Sequence, residues 1–238
     1  MAIIADKLVQ LHERLARACA AASRPVHSVT LLVVSKTQGP DVVRQACAAG
    51  QHAFGENYVQ EALDKIAALA DLRDQITWHL IGPLQSNKTR PVAEAFDWVQ
   101  SVDRLKIAQR LSEQRPLGLA PLQICLQVNI SGEASKSGLQ PGAVPAVAQA
   151  VSALPRLRLR GLMAIPEPAA DEAARRAPHR ALRELLLALN AQGLALDTLS
   201  MGMSADLEAA VAEGATLLRV GTAIFGSRPA LGQPLSST

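Results

Sequence analysis

The residue best placed for chemistry is Lys36. It closes the segment TLLVVSK (30–36), in which five β-branched or apolar residues precede Ser35 and the lysine. A strand buried on both faces reads as such a continuous run, so Lys36 is delivered to the C-terminal end of a core strand. Lysine is seldom buried without a partner, and partial withdrawal from water favours the neutral amine that attacks carbonyls to form Schiff bases. On this segment alone, a lysine extending its ammonium out of a strand end is the plainer reading. Two further segments carry small and hydroxylated residues. SMGMS (200–204) ends in Ser204, a helix cap or an anion donor, and RVGT (219–222) offers Gly221 for close backbone approach and Thr222 as a hydroxyl donor.

The elements that must position these residues alternate between short apolar runs and longer helical patterns, the signature of βα units on a parallel sheet. Strands are predicted at 29–36, 53–57, 76–82, 98–102, 122–129, 157–165, 197–202 and 216–222. Between them lie helical patterns such as DVVRQACAAG (41–50), closed by Gly50, and SADLEAAVAEG (204–214), opened by Ser204 and closed by Gly214. Eight repeats with no Pro/Gly-rich linker between them predict an α/β fold, a single (β/α)8 TIM barrel with an extra N-terminal helix. The predicted boundaries are 1–27 for that helix, 28–226 for the barrel and 227–238 for a C-terminal tail. Barrel active sites sit at the C-terminal strand ends, and phosphate commonly binds after strands seven and eight, where SMGMS and RVGT fall. His79, within WHLIGPLQSNK, reads either as a group facing the barrel mouth or as a structural histidine. The Ser/Gly-rich stretch SGEASKSG (131–138) after strand five reads as a mobile lid.

Composition narrows the function. The 238 residues are 49 % hydrophobic and 19 % charged, with a net charge of +3 that is too small to imply a nucleic-acid partner. The arginine-rich group Arg156, Arg158, Arg160, Arg175, Arg176, Arg180 and Arg183 is interleaved with Ala and Leu and reads as solvated strand ends and a helix face. Cys19, Cys47 and Cys125 are isolated and read as reduced core thiols. The five histidines do not cluster with carboxylates or thiols, so no metal is predicted. The N-terminal segment is broken by charges at helical spacing and reads as an amphipathic helix, with no membrane span and a cytoplasmic location expected. No GxGxxG or GxxxxGK[ST] motif supports a nucleotide site.

A strand-end lysine beside a phosphate cradle describes pyridoxal 5′-phosphate held as a lysine aldimine, or else a Schiff-base aldolase acting on a phosphorylated substrate. The motifs VVSKTQ (33–38), FGENYVQEALDK (54–65), WHLIGPLQSNK (78–88), LQVNISGEASKSG (126–138), GLMAIP (161–166) and SMGMSADLEAAVAEGATLLRVGTAIFG (200–226) favour the former. Collinear from about residue 29 to 226, they resemble the pyridoxal-phosphate homeostasis protein family, whose fold matches the barrel domain of alanine racemase. The resemblance implies that Lys36 forms the Schiff base and that Ser204, Gly221 and Thr222 hold the phosphate. It further implies that Arg219 faces the pyridine nitrogen and that Asn57 and His79 line the pocket. It implies a carrier or buffer in vitamin B6 homeostasis, a monomer without robust turnover or an assigned catalytic residue, and apo pyridoxal-phosphate enzymes as transient recipients. The alternative is a slow amino-acid racemase using the same lysine. Alanine racemase needs a second base on a tyrosine from another domain, whereas the one tyrosine here, Tyr58, follows Asn57 in the barrel.

Overall fold

Eight apolar runs become eight parallel strands that close on themselves in sequence order. The computed structural model of the protein describes residues 2–132 and 137–226. The expected tail at 227–238 and residues 133–136 of the expected lid lie outside the described residues. Helix α1 (Ala2–Ala21) and a 3₁₀ turn (Val26–Ser28) precede β1 (Thr30–Val34). The barrel continues through α2 (Pro40–Ala48), β2 (Ala53–Glu56), α3 (Val59–Ala68), β3 (Thr77–Leu80), α4 (Thr89–Ala95), β4 (Trp98–Val102) and α5 (Leu105–Gln114). It is completed by β5 (Leu122–Gln127), α6 (Val144–Ser152), β6 (Leu157–Met163), α7 (Glu172–Ala191), β7 (Thr198–Ser200), α8 (Leu207–Ala212), β8 (Leu217–Val220) and the single turn α9 (Thr222–Phe225). Pairing of Thr30 with Leu217 through Val33 with Val220 closes the sheet, an arrangement that leaves no strand edge exposed.

Two apolar cores follow from the alternation of side chains along each strand. The larger packs the outward faces of the strands against the helices and contains Val33, Phe54, Trp78, Val99 and Ile124. The smaller lies inside the barrel, where Leu32, Ile81 and Leu217 pack with Val34 and Ala53. Beside this inner cluster, His79, Gln100, Ser200 and Arg219 are buried. All three cysteines are free thiols in buried positions.

The arginine group expected to be solvated includes three residues with a structural task. Arg176, Arg180 and Arg183 on α7 converge on the buried carboxylate of Glu213, at 2.7, 3.1 and 2.7 Å, tying α7 to the C-terminal end of α8. Arg160 packs over the Trp98 ring at 4.9 Å while pairing with Asp197 at 2.8 Å. Among the described residues no helix is long and apolar enough to cross a membrane.

Gly161 has the least room for a side chain among the described glycines. A Cβ there would stand 1.8 Å from the Thr198 carbonyl oxygen, so the β6–β7 contact admits no side chain. Gly161→Ala is therefore expected to lower stability by about 1–3 kcal/mol, the range for overpacking a filled interior. Chemical denaturation checks this, and an unchanged midpoint would show that β6 moves freely.

Candidate functional site

At the C-terminal strand ends a cavity of about 360 Å³ gathers side chains from residues far apart in the chain. Lys36 after β1, Asn57 after β2, Ser204 after β7, and Arg219, Gly221 and Thr222 of β8 and its following turn all line it. Ile81, Ile165, Met203 and Phe225 supply apolar walls. Six of the seven residues singled out in the sequence thus share one enclosure. The buried Oδ1 of Asn57 has no hydrogen-bond partner, an unmet requirement that a ligand donor would satisfy. A Cβ at Gly221 would lie 3.0 Å from the carbonyl oxygen of Val34, so glycine is what allows the β8 end to close against β1.

Arg219 dominates the electrostatics. It is 4 % exposed, and its Nη1 and Nη2 donate to Ser200 Oγ at 2.7 Å and to the Ala164 carbonyl at 2.8 Å. Guanidinium has five N–H donors, so three find no protein acceptor among the described residues. Burial pulls its pKa down to about 10, against which the field of Asp206 works. At neutral pH the group stays charged. A buried cation facing a cavity with unused donors favours a ligand rich in acceptors.

The loop between β7 and α8 is held from three directions. Arg14 of α1 donates to the Ser204 carbonyl at 2.9 Å and pairs with Glu208 at 2.6 Å. Asp206 accepts from the Met203 amide at 2.7 Å through Oδ1 and contacts His179 Nε2 at 2.9 Å through Oδ2. Burial alone would raise the Asp206 carboxyl, yet its hydrogen bonds to His179 and Met203 leave it below the ordinary carboxylate value. Ser204 was expected to open the α8 helix, but Asp206 occupies the cap position and the helix begins at Leu207. Ser204 instead lines the cavity.

His79 departs from expectation, because it lines a second cavity of about 390 Å³ with Thr30, Thr77, Trp98 and Thr198, at the N-terminal strand ends. The inward positions of the β3 segment are Thr77, His79 and Ile81, and the one that reaches the first cavity is Ile81. His79 stacks on Trp98 with ring centroids 5.1 Å apart, and its Nδ1 meets Gln100 Nε2 at 2.9 Å. Gln100 Oε1 in turn accepts from Ser200 Oγ at 2.6 Å. Burial pushes the imidazole pKa down to about 3, so the ring is neutral.

A buried cluster behind the Lys36 wall escaped sequence reading. Lys65 of α3 donates to the Ser35 carbonyl at 2.8 Å, Glu56 Oε1 at 2.7 Å and Glu61 Oε1 at 3.1 Å. The available sign was FGENYVQEALDK itself, which puts Glu61 four residues before Lys65 on one helix face. Burial raises the Glu56 carboxyl, opposed by Lys65 and by the Ser35 hydroxyl. No group of three or more metal-ligating side chains occurs among the described residues.

Comparison with known proteins adds to this geometry. Residues 8–229 match the family described as alanine racemase, N-terminal domain. A pyridoxal phosphate homeostasis protein of Pseudomonas aeruginosa is 63 % identical over 228 residues, covering 96 % of this chain and 97 % of that protein. The Escherichia coli protein of the same name is 49 % identical, covering 94 % and 97 %. Among solved structures, PipY of Synechococcus elongatus with pyridoxal phosphate bound superposes with a TM-score of 0.81 at 41 % identity, covering 94 % of this chain and all of that one.

Proposed function

Because the chain belongs to the pyridoxal phosphate homeostasis protein family, built on the alanine racemase N-terminal domain, we propose that it binds pyridoxal 5′-phosphate covalently through Lys36 and serves vitamin B6 homeostasis as a carrier or buffer in the cytoplasm. The observation that carries this reading is the joint presence of a strand-end lysine, a buried guanidinium with unused donors and two hydroxyls around one 360 Å³ cavity. Bound there, the cofactor supplies an aldehyde that condenses with an amine and a ring that withdraws electrons.

The chain's own residues divide the work. Lys36 supplies the amine. The hydroxyls of Ser204 and Thr222 donate to the phosphate, and Gly221 lets the backbone approach it. Arg219, a donor with no proton to give up, faces the pyridine nitrogen and leaves it unprotonated, which weakens the ring as an electron sink. Asn57 completes the wall. The PipY structure with pyridoxal phosphate bound and the names of the P. aeruginosa and E. coli relatives support this reading over a cofactor-free aldolase. Apo pyridoxal-phosphate enzymes are the proposed recipients, and the carrier acts as a monomer without robust turnover.

An absorbance spectrum and intact mass before and after borohydride reduction test the proposal. Visible absorbance that is lost on reduction, with a pyridoxyl mass on one lysine, is the expected result. A colourless protein that gains no mass after incubation with the cofactor would overturn it. For the phosphate, each charge-assisted bond contributes about 1.5–3 kcal/mol. Replacing Ser204 and Thr222 together with alanine should therefore weaken pyridoxal 5′-phosphate at least about tenfold while barely affecting pyridoxal. Equal losses for both ligands in titration would assign the two hydroxyls to the fold instead.

A further inference from the structure

We infer that Lys65 and Glu61 are positioning residues for Lys36, a buried clamp that holds the backbone on both sides of the reactive lysine. An ammonium has three donors, and Lys65, only 3 % exposed, uses all of them on Ser35 O, Glu56 Oε1 and Glu61 Oε1. The same Glu61 oxygen accepts the Thr37 amide at 2.6 Å, and the same Glu56 oxygen accepts the Ser35 hydroxyl at 2.6 Å. Ser35 and Thr37, the two neighbours of Lys36, are thereby tied to one ammonium, the first directly and the second through Glu61. The clamp joins three elements, since Ser35 follows β1, Glu56 ends β2, and Glu61 and Lys65 belong to α3.

Two features separate this arrangement from ordinary core packing. A buried ion pair is commonly matched or bettered in stability by apolar side chains of similar volume. An apolar chain at position 65 could not donate to a carbonyl at a strand end, so what the charge provides there is backbone placement. Thr37 also adopts φ 65°, the left-handed region that a β-branched residue avoids unless its surroundings hold it. The hydrogen bond that its backbone amide donates to Glu61 is such a hold. The clamp stands behind the cavity wall, because Thr37, Glu61 and Lys65 line a neighbouring hollow that meets the Lys36 cavity at Gln38, and none of the three lines that cavity. Lys65 and Glu61 therefore act through the placement of Lys36 and touch no ligand.

The inference rests on the proposed role of Lys36, and its test separates the two. Lys65→Met would strand Glu56 as a buried charge and could prevent folding, so Glu61, which is partly exposed, carries the experiment. Glu61→Ala and Glu61→Gln are compared with the natural chain in three measurements. These are hydrogen exchange at the Thr37 amide, the rate at which pyridoxal 5′-phosphate is trapped on Lys36 by borohydride, and acetylation of Lys36 by acetic anhydride without cofactor, referenced to exposed Lys106. The alanine variant should exchange Thr37 at least about tenfold faster and label Lys36 at least about fivefold more slowly with both reagents. The glutamine variant, which keeps an acceptor oxygen for Thr37 and Lys65, should restore both. Labelling of Glu61→Ala at the natural rate, or equal loss in the glutamine variant, would overturn the inference. If the natural chain takes no pyridoxal 5′-phosphate at Lys36, the proposed function fails, and the acetylation comparison still decides the positioning.

Discussion

Lys36→Ala should give a folded protein that neither absorbs in the visible with pyridoxal 5′-phosphate nor gains a pyridoxyl tag on reduction. Complete loss is expected because no other lysine among the described residues lines the cavity. Lys65 lies behind the cavity wall, where its ammonium is committed to three acceptors. Peptide mapping after borohydride treatment settles the site. A tag at Lys65 or Lys88 in the variant, at the yield seen on Lys36 in the natural chain, would show the assignment to be wrong.

Turnover of amino acids should be slow even with the cofactor in place. Racemization removes a proton on one face and delivers one on the other, and each positioned acid or base contributes about 10²–10⁴-fold. Of the side chains lining the cavity, Lys36 and Arg219 are the ionisable ones among the described residues, and a guanidinium does not give up its proton. Tyr58, the residue that would have to act as a second acid, is 53 % exposed at the start of α3 and does not line the cavity. Incubation of the loaded protein with L-alanine in deuterated water should therefore show α-proton exchange about 10²–10⁴-fold below a typical enzymatic rate near 10 per second. Transfer of cofactor to an apo enzyme should restore that enzyme's activity. Racemization at the typical rate would promote the enzyme reading over the carrier.

Much of the barrel was legible because a strand buried on both faces is mostly apolar, and each of the eight expected strands overlaps an observed one. Strand ends differ by a few residues: the seventh, expected at 197–202, spans Thr198–Ser200. The site was legible where chemistry and strand end coincide, as at Lys36 and Arg219. It was not legible where partners come from distant segments. The loop before α8 is held by Asp206 meeting His179 and by Arg14 meeting the Ser204 carbonyl, neither of which local spacing reveals. His79 was misplaced for a different reason. A strand alternates its side chains between two faces but stacks those on the inner face at different depths, and period alone does not say which depth reaches the mouth. Ile81, two residues on, is the one that does.

The line of contacts from Arg219 to His79 has a direction. Arginine can only donate, so the Ser200 oxygen accepts from it and gives its own proton to Gln100 Oε1. That leaves the Gln100 amide nitrogen as donor toward His79 Nδ1, which must accept. A neutral imidazole that accepts at Nδ1 carries its hydrogen on Nε2, so one guanidinium sets the orientation of a side-chain amide and the tautomer of a ring on the other side of the barrel. Polarity there runs one way, from the Lys36 cavity to the far end, and a nitrogen-15 spectrum of His79 would read it as a protonated Nε2.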